Sequence, residues 1–342
     1  MDHFSPLAEK ALAGIALSRE EALAVLQTAD SELPELLRAA FTVRERFWGR
    51  KIKICVLQNA RSGLCPEDCH YCSQSVISTA EINKYRLMAF DQLVAGARKA
   101  VAAGARRYCM VTSGRGPSER DIAHLGEAVG VIKKEFPSLE ICVSLGLMDE
   151  GKARQLKASG VGWVNHNLNT SRRFHPEICN THTYEDRVET VRNVKRAGLS
   201  TCCGGILGMG ENDEDIIDLA YAVRELEIDS IPVNFLLPIS GTPLETRRDF
   251  APTRGIKALC LTRFLNPRSE IRMAAGREFY LGEWAGLVFY PANSIFVDGY
   301  LTTPGQVAQA AKQLVAAAGF EVEQEVEAST VCEVESGKSL SA

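Results

Sequence analysis

A parallel (β/α)8 barrel is the fold that this sequence predicts, on two observations. Eight short β-branched or apolar runs alternate with stretches of helical periodicity, the pattern of repeated strand–helix units. Three cysteines then crowd into eight residues directly after the first run. In such barrels the reactive residues sit at the C-terminal ends of strands and in the loops that follow, and the cysteines fall on that face. An open doubly wound sheet is the runner-up topology.

Taken in order, residues 1–48 form a helical extension, because LAEKALAGIALS and REEALAVLQTADSELPELLRAAFTVRERF carry helical periodicity and no strand run. The barrel is expected over residues 49–320. Its strands are KIKICVLQN (51–59), RRYCMVTSG (106–114), LEICVSLG (139–146), VGWVNHNL (161–168), STCCGGILGMG (200–210), DSIPVNFLL (229–237), SEIRMAAG (269–276) and ANSIFVDG (292–299). Between them lie segments such as QLVAGARKAVAAGA and EDRVETVRNVKRAG, which close on a basic last turn and a glycine, a helix-stop signal. Residues 321–342 are acidic and rich in small side chains, so a disordered tail is expected there.

The 342 residues are 46% hydrophobic and 24% charged, enough to bury a large core. A net charge of −4 with both signs interspersed offers no platform for nucleic acid or an anionic membrane. The opening MDHFSPLAEK has no basic segment leading into an apolar one, and no apolar run approaches the roughly 20 residues that span a bilayer, so a cytoplasmic location is expected. Eleven cysteines in a reducing compartment point to metal or catalysis rather than disulfides.

The triplet reads Cys65-Pro-Glu-Asp-Cys69-His-Tyr-Cys72. Three thiolates in a C-x3-C-x2-C loop can ligate three irons of a cubane, and with no fourth cysteine nearby one iron stays open; Tyr71 would cover the edge of such a cluster. The competing reading is structural zinc, which prefers paired knuckles and four closed ligands; His70 lies inside the loop and would point away from coordinating neighbours. The triplet resembles that of the radical S-adenosylmethionine superfamily. That resemblance implies a [4Fe–4S] cluster whose open iron takes the methionyl amino and carboxylate groups, followed by one-electron cleavage to methionine and a 5′-deoxyadenosyl radical.

Cys109, Cys142 and Cys202 fall in the second, third and fifth predicted strands, and Arg272 in the seventh. A strand cysteine alone reads as a small buried hydrophobe, but an arginine inside a barrel strand needs an anionic partner. Three thiolates and one arginine converging in a lumen can hold a second cluster.

With the stretches GLCPEDCHYCSQS, YCMVTSGRGP, WVNHNLNTS, HTYEDR, GGILGMGE, IPVNFL, IRMAAGRE and ANSIFV, the sequence from about Arg46 to Thr303 closely resembles the biotin synthase family. The resemblance implies that Cys109, Cys142, Cys202 and Arg272 hold a [2Fe–2S] cluster which donates sulfur. The implied reaction joins sulfur to C9 and C6 of dethiobiotin after two hydrogen abstractions. It implies S-adenosylmethionine contacts at Asn167, Asn169, Arg187 and the segment containing Ile206, with Tyr71 beside the cluster. A flavodoxin- or ferredoxin-type electron donor and a homodimer are inherited in the same way. A neutral ureido ring suits amide partners, and Asn165, Asn167 and Asn234 meet that need; Thr302 is a further substrate contact. Which of Cys202 and Cys203 faces the lumen stays open, since neighbouring strand residues point to opposite faces. Cys55, Cys179, Cys260 and Cys332 have no assigned role, and His166, His175 and His182 read as structural. Another radical S-adenosylmethionine barrel enzyme, of mutase or hydrogenase-maturation type, and a zinc-stabilised barrel protein are the rival functions.

Overall fold

In the computed structural model, which describes residues 3–323, the chain opens with three helices, α1 (Ser5–Leu12), α2 (Arg19–Leu26) and α3 (Leu33–Trp48). Proline in the first turn starts α1 and α3, and a capping box between Ser18 and Glu21 starts α2. The barrel follows as β1 (Lys51–Arg61), α4 (Phe90–Ala102), β2 (Arg107–Thr112), α5 (Glu119–Glu135), β3 (Glu140–Ser144), α6 (Glu150–Ala158) and β4 (Trp163–Asn165). It continues with α7 (Tyr184–Arg196), β5 (Ser200–Cys202), β6 (Gly205–Leu207), α8 (Asp213–Glu225), β7 (Ser230–Phe235) and α9 (Pro252–Leu265). The last elements are β8 (Glu270–Met273), α10 (Arg277–Tyr280), β9 (Ser294–Val297), α11 (Ala308–Ala317) and β10 (Glu321–Val322).

The strands pair in parallel, and β9 returns to β1 through Lys53–Ser294 and Cys55–Phe296, which closes the barrel. The helices α5, α7 and α8 each begin on a capping box, Ser118 with Asp121, Thr183 with Asp186 and Asn212 with Asp215. Those caps fix where each loop above the strands ends. Helix α9 is buried on every side from Gly255 to Leu265, because α2 and α3 pack over the face that it turns away from the barrel. The N-terminal extension is therefore a second layer on one flank. No helix among the described residues is long and apolar enough to cross a membrane.

Two expected strands differ in detail. The fourth is only Trp163–Asn165, because Asn169 adopts φ +70° and turns the chain back towards Gly204 and Ile206. The fifth breaks into β5 and β6 at Cys203-Gly204, and both halves pair with β7. A β-carbon on Gly204 would lie 2.0 Å from the carbonyl oxygen of Pro232, so only glycine lets the broken strand lie against β7. The segment expected as tail begins with a strand: Glu321 and Val322 pair with Lys51 and Ile52. The remainder of that segment from residue 324, with Cys332, lies outside the described residues.

Gly204→Ala forces Pro232 or β5 to move and is expected to destabilise the chain by about 1–3 kcal/mol. The check is the urea midpoint of the iron-free chain; an unchanged midpoint contradicts the close approach.

Candidate active site

The loop between β1 and α4 carries the cysteine triplet, and the barrel beneath it encloses a cavity of about 360 Å3. Cys65, Cys69 and Cys72 line its mouth, while Cys109, Cys142 and Arg272 line its depth. Leu57, Val111, Pro232 and Phe296 give it apolar walls.

The deep end is set by strand register. Cys109 pairs with Cys142 across β2 and β3, and Cys202 pairs with Ser230 across β5 and β7. The Arg272 guanidinium donates to Cys202 Sγ at 3.5 Å, to Ser230 Oγ at 3.1 Å and, through Nε, to Ser294 Oγ at 3.1 Å. It also lies 4.9 Å over the Phe296 ring. Cys203 takes the opposite face and packs in the apolar core between barrel and helices, so alternation aims Cys202, not Cys203, at the arginine. Hydrogen bonding with Cys142, then burial, pushes the Cys109 thiol well up, and burial raises Cys202. These thiols hold their protons until a cation displaces them.

Below the thiols lies a layer of charge that sequence reasoning missed. Glu270 accepts from both terminal nitrogens of Arg107 at 3.0 Å, from Ser230 Oγ at 3.0 Å and from Arg272 Nη2. Arg107 Nε reaches Glu140 at 2.7 Å, and Lys53 Nζ bridges Glu140 at 2.9 Å and Glu270 at 3.3 Å. The Arg107 guanidinium also stacks 3.7 Å over Trp163. Burial opposes the charge of Glu270, but Arg107, Arg272 and Lys53 outweigh it and hold the carboxyl well below the usual range. A signal was present: Arg107-x-Cys109, Glu140-x-Cys142 and Glu270-x-Arg272 each put a charge two residues before a lumen position, hence on the same face. Cys55 joins this layer, with Sγ 3.5 Å from Ser294 Oγ. Cys260 is buried in the apolar core.

At the mouth, residues 178–182 clasp the cysteine loop. His70 N–H donates to the Ile178 carbonyl at 2.9 Å, and Asp68 Oδ1 accepts from the backbone of Asn180 at 3.0 Å and Thr181 at 3.2 Å. Glu67 meets His182 Nδ1 at 2.5 Å, Thr181 Oγ1 at 2.6 Å and Arg115 at 3.1 Å. Cys179 stands 3.8 Å from Cys69, sulfur to sulfur. Nothing in the spacing of Cys179 and His182 along the chain singles them out; the contacts span more than a hundred residues.

Between mouth and depth sit the other expected contacts. Arg187 is buried and donates to the Asn167 carbonyl at 2.8 Å, with Nη2 4.0 Å from Cys69 Sγ. Asn169 Nδ2 lies 2.5 Å from the Tyr71 hydroxyl. Asn167 Oδ1 accepts from Gly204 N at 3.1 Å, and Asn165 Nδ2 donates to Ser144 Oγ at 3.2 Å. Asn234 bridges β6 and the loop after β8, donating to the Gly205 carbonyl and accepting from Ala275 N, each at 3.1 Å. Thr302 Oγ1 and Ser73 Oγ share a hydrogen bond of 2.7 Å, and Ile206 packs with Met209 and Tyr71. All of these side chains border the one cavity except Met209. Burial, with Arg187 and His182 nearby, holds His166 well below the ordinary histidine range, so it is neutral.

The donor sets suit iron and sulfide. Three thiols on one loop, and three more with a guanidinium behind apolar walls, are soft ligands that hard cations avoid.

A closed parallel barrel with a C-x3-C-x2-C loop at its mouth defines the radical S-adenosylmethionine class. Residues 61–221 match the model of the Radical SAM superfamily, and residues 232–321 match the Biotin and Thiamin Synthesis associated domain. Over 320 residues the chain is 46% identical to a biotin synthase of Rhodopirellula baltica, covering 94% of this chain and 89% of that protein. It is 48% identical over 317 residues to one from Halalkalibacterium halodurans, covering 93% and 95%. The chain belongs to the biotin synthase family. Among solved structures the fold is similar to methylornithine synthase, with TM-score 0.81 and 20% identity over 93% of this chain and 97% of that one. It is also similar to the FeFe-hydrogenase maturase of Carboxydothermus hydrogenoformans, with TM-score 0.79 and 17% identity over 94% and 80%.

Glu270→Ala leaves Arg272 without a carboxylate and Arg107 with Glu140 alone, and is expected to destabilise the chain by about 3–5 kcal/mol. The denaturant midpoint of the iron-free chain checks this; a shift no larger than that of a surface glutamate contradicts the network.

Proposed function

We propose that the chain is a sulfurtransferase that converts dethiobiotin to biotin, closing the ring by joining sulfur to C9 and C6. The observation that carries this is one cavity with cysteines at both ends, the loop triplet at the mouth and Cys109, Cys142 and Arg272 at depth, with Cys202 against the Arg272 guanidinium. Membership of the biotin synthase family supports it. Cys65, Cys69 and Cys72 would hold a [4Fe–4S] cluster and the deep set a [2Fe–2S] cluster. When bound, these and S-adenosylmethionine supply a hydrogen-abstracting radical at one end and sulfide at the other.

The chain's own residues position and seal. Arg187 presents a buried guanidinium beside Cys69, where a carboxylate on the open iron would find its charge partner. Asn167 and Asn169 offer amides to ribose hydroxyls, and Ile206 an apolar face to adenine. Asn165 and Asn234 have amide capacity left after their protein contacts and suit the ureido ring; Thr302 hydrogen-bonds at the rim. Leu57, Val111 and Phe296 exclude water from the path between the two ends.

Residues 1–48 serve as the helical extension and residues 49–320 as the catalytic unit. The described cysteines are all free thiols, which supports a reducing cytoplasm, where a small flavodoxin or ferredoxin would act as donor. A homodimer is part of the same reading.

The test is anaerobic incubation of the loaded chain with dethiobiotin, S-adenosylmethionine and a low-potential reductant. Biotin is expected, with one 5′-deoxyadenosine for each C–H bond broken; 5′-deoxyadenosine without biotin would contradict the assignment. Arg187→Leu is expected to weaken S-adenosylmethionine binding by about 10- to 150-fold, the loss of about 1.5–3 kcal/mol from a charged hydrogen bond, as read by equilibrium dialysis.

A further inference from the structure

Around Cys69 the clasp adds two ligands, Cys179 and His182, that the sulfur-insertion reading does not use. Cys69 Sγ lies 3.8 Å from Cys179 Sγ, and Cys179 Sγ lies 3.4 Å from His182 Nδ1 and 3.5 Å from His182 Nε2. All three ligand atoms fall within 4.8 Å of one another, and all three residues are buried. Zinc–sulfur bonds of about 2.3 Å and zinc–nitrogen bonds of about 2.0–2.1 Å at tetrahedral angles separate two sulfurs by about 3.8 Å and sulfur from nitrogen by about 3.6 Å. The sulfur–sulfur spacing is that of one tetrahedral ion, and a tilt of the imidazole, whose two nitrogens now stand equally near Cys179 Sγ, aims Nε2 at the same point.

The surroundings complete the pattern. His182 Nδ1 is bonded to Glu67 Oε2 at 2.5 Å, and Glu67 is itself held by Thr181 and Arg115. A carboxylate on one ring nitrogen fixes the ring and leaves the other nitrogen for a metal, the arrangement that supports metal-bound histidines. Cys69 and His182 both border the cavity, so an ion entering by the mouth can reach them.

We propose that Cys69 Sγ, Cys179 Sγ and His182 Nε2 form a mononuclear site for a soft divalent cation of the zinc class in the chain that lacks its mouth cluster. Water takes the fourth corner. Because Cys69 belongs to both donor sets, the ion and the mouth cluster exclude one another, and zinc occupancy blocks cluster loading.

The probe is cobalt(II), titrated into the full chain stripped of iron. Expected is one cobalt per chain with thiolate-to-cobalt charge-transfer bands and the intense visible bands of a tetrahedral ion, displaced by zinc. Cys179→Ser and His182→Ala should each weaken binding at least about tenfold, while Cys65→Ala leaves it unchanged. A weak octahedral spectrum overturns the proposal. So does a tetrahedral one that survives both Cys179→Ser and His182→Ala and vanishes with Cys65→Ala, which would put the ion on the loop triplet. In a second arm, zinc-loaded chain should fail to gain iron and sulfide until the zinc is chelated; loading at the rate of the zinc-free chain would overturn the exclusion. No iron is present in the cobalt arm, so its failure leaves the two-cluster reading standing.

Discussion

The barrel depends on one buried carboxylate. Glu270 receives Arg107, Arg272 and Lys53 in a lumen closed to water, where an unpaired guanidinium would be strongly unfavourable. With Glu270 in place, Arg272 can extend above it and set a cation against Cys202 and its neighbours. Cys109, raised by hydrogen bonding and burial, and Cys202, raised by burial, then have a positive partner when they give up their protons to a metal. The chemistry assigned to the deep end thus rests on a layer of side chains that touches neither substrate nor cofactor.

The mouth solves a different problem. A loop carrying three cysteines has little regular structure of its own, so its geometry comes from outside, through Asp68 and Glu67 bound to residues 180–182 and His70 bound to Ile178. The same clasp seats Arg187 near Cys69 by tying α7's leading loop to the cysteine loop. Rigid strands hold the deep set and a clasped loop holds the shallow one, with Asn167, Asn169 and Tyr71 between them. That order suits a reaction in which a small molecule must lie between two reactive centres.

Much of this was legible in the chain. Alternating strand and helix patterns gave the barrel, and the triplet gave its mouth, because both are local signals. The fifth strand reads as continuous in the sequence; the Gly204-Gly205 pair stands at its break, but only the approach of Pro232 explains it. The choice between Cys202 and Cys203 needed the barrel's facing, which one sequence does not carry. Glu270, Arg107 and Glu140 escaped notice because a charge in a strand reads as an edge or an end until its partner strand is known. Cys179 and His182 escaped because they meet Cys69 and Glu67 only through folding, across more than a hundred residues.

The proposed function requires two iron–sulfur centres at opposite ends of one cavity. Mössbauer spectra of the chain loaded anaerobically with 57Fe, beside those of Cys142→Ala, test it most directly. Two distinct clusters in the parent, with only the four-iron signal left in the variant, is the result that the account predicts. A single cluster in the parent, or both clusters intact in Cys142→Ala, would contradict it.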